Sequence, residues 1–183
     1  LFQTLFNVVD TYFAGKISSD ALSALAKSFP IYFILIAASV GVTVGGTSLI
    51  ANSIGERNKE NVLKFFGQTI IYGIILSTVV TFIGLSFASN IFELMGSSIK
   101  VINLGLLYTD VIFSGSIIFI SVVALNSLLH AEGDTKTFRN VLVLSFFLNI
   151  ILNPLFIFGF GPIPAMGMTG IGVATILCQI IAF

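Results

Sequence analysis

A carboxylate, two amides and a hydroxyl stand out in this chain because each lies inside an apolar run. Asp10 sits in LFQTLFNVVDTYFAG, three residues after Asn7, a spacing that puts both on one helical face. Asn149 and Asn153 are four apart in FFLNIILNPLFIFGFGP, and Ser145 extends their stripe by one turn. Thr175 lies in GIGVATILCQII. An ionised carboxylate in hydrocarbon costs about 2.5–3.5 kcal/mol on insertion scales. Something must compensate Asp10, or something must use it. Pro154 adds to the case, because its ring nitrogen cannot donate to the Ile150 carbonyl. A freed carbonyl and amide oxygens beside a carboxylate are donors of the kind a hard cation prefers, which makes Asp10, Asn149 and Asn153 a candidate site for such a cation.

Plainer readings stand beside these. Asp10 lies about five residues, roughly 8 Å, short of Gly15, where the segment ends, so it could be an interfacial residue. The asparagines could simply bond between helices, and Thr175 back to its own helix. Asp110, in LLYTDVIFSG, is a second intramembrane acid, near enough to its segment's start to snorkel. His130 reads as an interfacial histidine. Cys178, the single cysteine, reads as a small buried hydrophobe and allows no internal disulfide.

The elements that must position these residues follow from composition. Of 183 residues, 56% are hydrophobic and 9% charged, against roughly 25% charged in a soluble domain. Such a chain cannot cover itself with polar surface, and the solvent that suits it is a bilayer. Its zero net charge offers no electrostatic basis for binding nucleic acid. Six apolar segments are visible, at about 1–15, 29–54, 65–88, 101–129, 141–160 and from 166 onward. In lipid every backbone polar group must be satisfied internally, so these should be helices. Barrel-type alternation is absent. The expected class is all-α, a polytopic membrane helical bundle of six transmembrane helices. The first and last look truncated, because the chain starts and stops within apolar runs. The expectation is an internal piece of a longer membrane protein.

The linkers KISSDALSALAKS, GERNKENVLK, ELMGSSIK, HAEGDTKTFRN and GFGPIPAMG carry most of the charge. Arg57, Lys59, Lys64, Lys136 and Arg139 lie in the second and fourth, against Lys16, Lys27 and Lys100 in the first and third. That excess predicts the second and fourth linkers, and the N-terminus, on the cytoplasmic side. Gly41 and Gly45 form a G-x-x-x-G with Gly46 beside them, and Gly170 with Ala174 repeats the spacing. These are expected to let helices pack closely inside the bundle. No C-x-x-C, H-E-x-x-H, P-loop or nucleophile elbow is present, so no enzyme is expected.

Taken in order, five stretches resemble one family. NVVDTYFAGKISSDALSALAKSFP resembles the first helix and loop of the multidrug and toxic-compound extrusion (MATE) transporters. GVTVGGTSLIANSIGERNKE, AEGDTKTFRN, LNIILNPLFIFG and MGMTGIGVAT resemble the second helix with its loop, the loop after the fourth helix, the fifth helix and the opening of the sixth. The resemblance implies one lobe of a twelve-helix transporter, with residues 1–183 as most of the N-terminal transmembrane lobe and the C-terminal lobe missing. It implies a multi-pass protein of the plasma (inner) membrane that exports organic cations or drugs by antiport. No cofactor is expected, only Na⁺ or H⁺ as the coupling ion. It also implies that Asp10, Asn149, Asn153 and Thr175 form the cation-binding or proton-coupling site, and that Pro154 kinks its helix. Many relatives carry aspartate where this chain has Asn153, so the cluster holds one carboxylate. A lipid-linked oligosaccharide or lipid II flippase of the same superfamily is the alternative, although none of the eight Lys and Arg falls mid-segment to meet a pyrophosphate. A non-transporting fragment is the third. The expected cavity opens toward the outer side.

Overall fold

A computed structural model describes residues 2–181. Among them it forms seven helices: α1 (Phe2–Ile17), α2 (Ser19–Gly55), α3 (Lys59–Leu94), α4 (Ile99–Ser114), α5 (Ser116–Glu132), α6 (Thr135–Phe158) and α7 (Met168–Ile181). α2, α3 and α6 are long and apolar enough to cross a membrane, and α4 with α5 makes a fourth span if that bent pair is counted as one. α1 and α7 have 16 and 14 residues, short of the ~20 a span needs. Large apolar side chains such as Phe33, Ile71, Phe82 and Phe147 face outward, as a bilayer allows.

Most of the polar linkers shrink to turns because their ends are capped. KISSDALSALAKS is largely absorbed into α2. The Ser18 hydroxyl accepts the Ala21 N–H at 3.0 Å, with Asp20 in the first turn. GERNKENVLK reduces to residues 56–58. There the Asn58 N–H reaches the Ser53 carbonyl at 3.0 Å across a left-handed Arg57, and the Asn58 side chain opens α3 by accepting from the Asn61 N–H. HAEGDTKTFRN reduces to Gly133, at φ 78°, and Asp134. The Thr137 hydroxyl and amide, with the Lys136 amide, hold the Asp134 carboxyl below the usual carboxylate range. The α6–α7 link, residues 159–167, keeps an irregular path with an antiparallel bridge between Phe160 and Ile163.

Two turns are tied together at one end of the bundle. Lys27 Nζ donates to the Met95 carbonyl at 3.1 Å and to Ser97 Oγ at 3.0 Å, and Lys100 pairs with Asp20 at 2.7 Å. The α2–α3 and α5–α6 turns stand at the other end. α2 runs through the middle and packs on α1, α3, α4 and α5, while α6 packs on α1 and α7, and α7 also on α4.

One expectation changes. The fourth segment is not one straight helix but bends by 47° at Gly115. The Ile176 side chain fills the place a Cβ would take at Gly115. From α3, Thr81 Oγ1 donates to the Phe113 carbonyl at 2.8 Å, while Ser116 Oγ donates to the Ser77 carbonyl at 3.1 Å. α6 carries Pro154 within its length and continues to Phe158. The small residues also divide. A Cβ at Gly170 would stand 2.6 Å from the Phe156 carbonyl, and one at Gly46 2.5 Å from Thr69 Cγ2. At Gly41 and Gly45 it would meet nothing within 4 Å. Those two glycines line an apolar groove between α2 and α3, with Phe65, Gln68 and Tyr72 across from them.

Candidate functional site

Asp10 stands on α1, seven residues and roughly 10 Å before the helix end at Ile17. It is 4% exposed. Its carboxylate is met from two other helices. On α6, Asn153 Nδ2 donates to Asp10 Oδ1 at 2.8 Å and Asn149 Nδ2 to the same oxygen at 3.4 Å. On α7, Thr175 Oγ1 lies 3.4 Å from Asp10 Oδ2 and also 3.0 Å from the Ile171 carbonyl of its own helix. Asn153 Nδ2 donates again, to Asn149 Oδ1 at 3.0 Å, across one turn of α6. Both asparagines are 0% exposed. The four residues singled out from the sequence therefore meet around one carboxylate.

Among the described residues no Lys, Arg or His takes part in this cluster. An ionised Asp10 is held only by neutral dipoles, a partial compensation for its burial. One atom is also left over. Asn153 Oδ1 is buried and has no hydrogen-bond partner. Asp10, Asn149, Asn153 and Thr175 thus present a carboxylate, two amide oxygens and a hydroxyl, an all-oxygen set suited to a small hard cation. Among the described residues no group of three or more His, Cys, Asp or Glu gathers as a transition metal would need.

Asp10 and Thr175 form part of the wall of a cavity of about 200 Å³, while Asn149 and Asn153 are not among its lining residues. Tyr32 and Tyr108, both buried, flank the carboxylate side of this space. From there the lining passes Ser39 and Thr43 on α2, Asn126 on α5 and Gln179 on α7, and it ends at His130 and Phe138. That end adjoins the Gly133 turn, away from the α1–α2 turn. Asn126 and Gln179 escaped attention there, although each is a lone amide in an apolar run and carried the same signal as Asn149. His130 stands near the end of α5. It lines the cavity with its ring 4.6 Å from that of Phe138, edge to face.

The remaining candidates lie apart. Ser145 lines the cavity and donates to the Cys178 carbonyl at 3.4 Å, and the Cys178 thiol is buried and free. Asn7 lines the cavity without bonding Asp10. Asp110 is exposed on α4, in a surface groove with Val173, Ile176 and Leu177 of α7, away from the Asp10 cluster.

A helical bundle with three or four apolar spans defines a multi-pass membrane protein. The MatE family profile matches residues 1–155, and the chain belongs to that family of transporters. It is 30% identical over 182 residues to a probable multidrug resistance protein, YoeA, of Bacillus subtilis, covering 99% of this chain and 39% of that protein. It is 32% identical over 181 residues to a probable multidrug resistance protein, NorM, of Thermotoga maritima, again over 39% of its length. An FAD transporter of Shewanella oneidensis is 27% identical over 97% of this chain. The fold matches a crystal structure of MATE in the bent conformation, with TM-score 0.91 and 30% identity over 99% of this chain and 40% of that one. The chain thus spans about two-fifths of the length of these relatives.

Proposed function

We propose that these helices act as the N-terminal lobe of a secondary antiporter that exports organic cations or drugs in exchange for Na⁺ or H⁺, with Asp10 as the coupling carboxylate. The observation that carries the reading is the deep burial of Asp10 among neutral donors at the wall of a cavity. A proton, a sodium ion or an organic cation each relieves the same uncompensated charge. If two of them compete for Asp10, uptake of one releases the other. Asn149, Asn153 and Thr175 position the carboxylate and supply the neutral oxygens. The excess of Lys and Arg near the α2–α3 and α5–α6 turns supports a cytoplasmic N-terminus in the plasma membrane. The test is ion-gradient-driven efflux of a cationic dye by the full-length protein in vesicles, compared with Asp10→Asn.

A flippase or an exporter of anions is the second reading. One relative is named an FAD transporter. A solved neighbour from Pyrococcus furiosus is described as having reverse polarity of its binding pocket, suggesting a different function. Among the described residues the cavity is lined by one carboxylate and by no Lys or Arg, which favours a cationic cargo over a pyrophosphate.

A further inference from the structure

We propose that the limb of the cavity leading from Asp10 to His130 is a water-filled route by which the ion held at Asp10 exchanges with the solution beyond the Gly133 turn. This rests on the coupling role proposed for Asp10.

Three observations point the same way. First, the side chains of Asn7, Asn126, Gln179 and His130 line the limb and have no hydrogen-bond partner among the described residues. All four are half-buried and face the cavity, and polar groups without a protein partner are satisfied by water, so the limb is a wet one. A volume of about 200 Å³, at roughly 30 Å³ per molecule, holds about six. Second, the two ends of Asp10's surroundings differ. Toward the α1–α2 turn it is capped by Ala14, Ala21, Leu25, Met168 and Ile171, all 0–1% exposed. Toward the Gly133 turn the wall is amide, hydroxyl and imidazole. An ion leaving Asp10 meets a packed apolar core in one direction and hydrogen-bonding groups in the other. Third, the limb ends between α5 and α6 at the ring pair of His130 and Phe138, 4.6 Å apart and on either side of the turn. That pair stands where a mouth would be.

The test uses full-length protein in vesicles, with Cys178→Ala as background and a single Asn126→Cys. Asn58→Cys and Ser97→Cys, made separately, mark the two sides of the membrane. A small cationic methanethiosulfonate reagent should modify Asn126→Cys from the Asn58 side at least about tenfold faster than from the Ser97 side. Gln179→Cys, a second position, should show the same preference. Adding Phe138→Ala should speed modification several-fold, and adding Asp10→Asn should slow the cationic reagent relative to an anionic one. Equal rates from both sides, a preference for the Ser97 side, or no modification of either cysteine in correctly inserted protein overturns the route. A rate insensitive to Phe138→Ala removes the ring pair as its mouth. Efflux that survives Asp10→Asn would defeat the coupling role, and the labelling would still decide the route.

Discussion

Asn153 gives both of its useful amide contacts through one nitrogen, to Asp10 Oδ1 at 2.8 Å and to Asn149 Oδ1 at 3.0 Å, and leaves its own carbonyl oxygen buried without a partner. An unpaired buried acceptor costs about 1–3 kcal/mol. A cation settling beside Asp10 could recover that by taking Asn153 Oδ1 as a ligand. The arrangement is therefore complete as a hydrogen-bond set for neither the amide nor the carboxylate.

Replacing Asn153 by Asp adds a charged oxygen to this set. Sodium should bind the Asn153→Asp protein more tightly than the parent. The gain should vanish when Asp10→Asn is added, because the two side chains touch. Radioactive sodium binding to the purified full-length protein measures both. An Asn153→Asp curve that overlays the parent's means residues 10 and 153 do not share an ion.

Gly170 and Gly45 should respond oppositely to alanine. A methyl at Gly170 meets the Phe156 backbone carbonyl, which cannot rotate away, so α6 and α7 must separate at a cost of about 1–3 kcal/mol. A methyl at Gly45 meets open space. Thermal unfolding in detergent should fall for Gly170→Ala and hold for Gly45→Ala. A drop at Gly45 would reveal a contact from outside residues 2–181.

Thr81 braces the bend at Gly115 from α3 by donating its hydroxyl proton to the Phe113 carbonyl at 2.8 Å. Thr81→Val keeps the shape and removes the hydroxyl. It should destabilise the protein by roughly 1–2 kcal/mol, read as a lower unfolding temperature. An unchanged temperature would mean that packing of Ile176 at Gly115 suffices to hold the bend.

The α2–α3 turn should be cytoplasmic. Single cysteines at Asn58 and Ser97 should label from opposite faces of intact cells, Ser97 from outside. Labelling of Asn58 from outside would reverse the topology.

How much of this was legible in the sequence differs from feature to feature. Asp10, Asn149, Asn153 and Thr175 were legible because a polar residue in an apolar run is conspicuous, and i, i+4 spacing stacks the asparagines on one face. The helix ends were less so, since Ser18, Asn58 and Asp134 look like linker polarity until their oxygens are seen capping backbone N–H groups. The bend at Gly115 was hidden, because its causes, Ile176 and Thr81, lie 61 and 34 residues away in the chain. The direction of the cavity was hidden for a similar reason. It depends on Asn126 and Gln179, from different helices, facing the same space.

The most direct test of the central claim is ion-driven efflux by Asp10→Asn in the reconstituted full-length transporter. The substitution conserves size and replaces the one acid in the cluster by a neutral amide. The account predicts that export driven by a sodium or proton gradient is abolished, while insertion and unfolding temperature stay close to the parent's and Asp10→Glu restores part of the rate. Efflux by Asp10→Asn equal to the parent's, under both gradients, would contradict it.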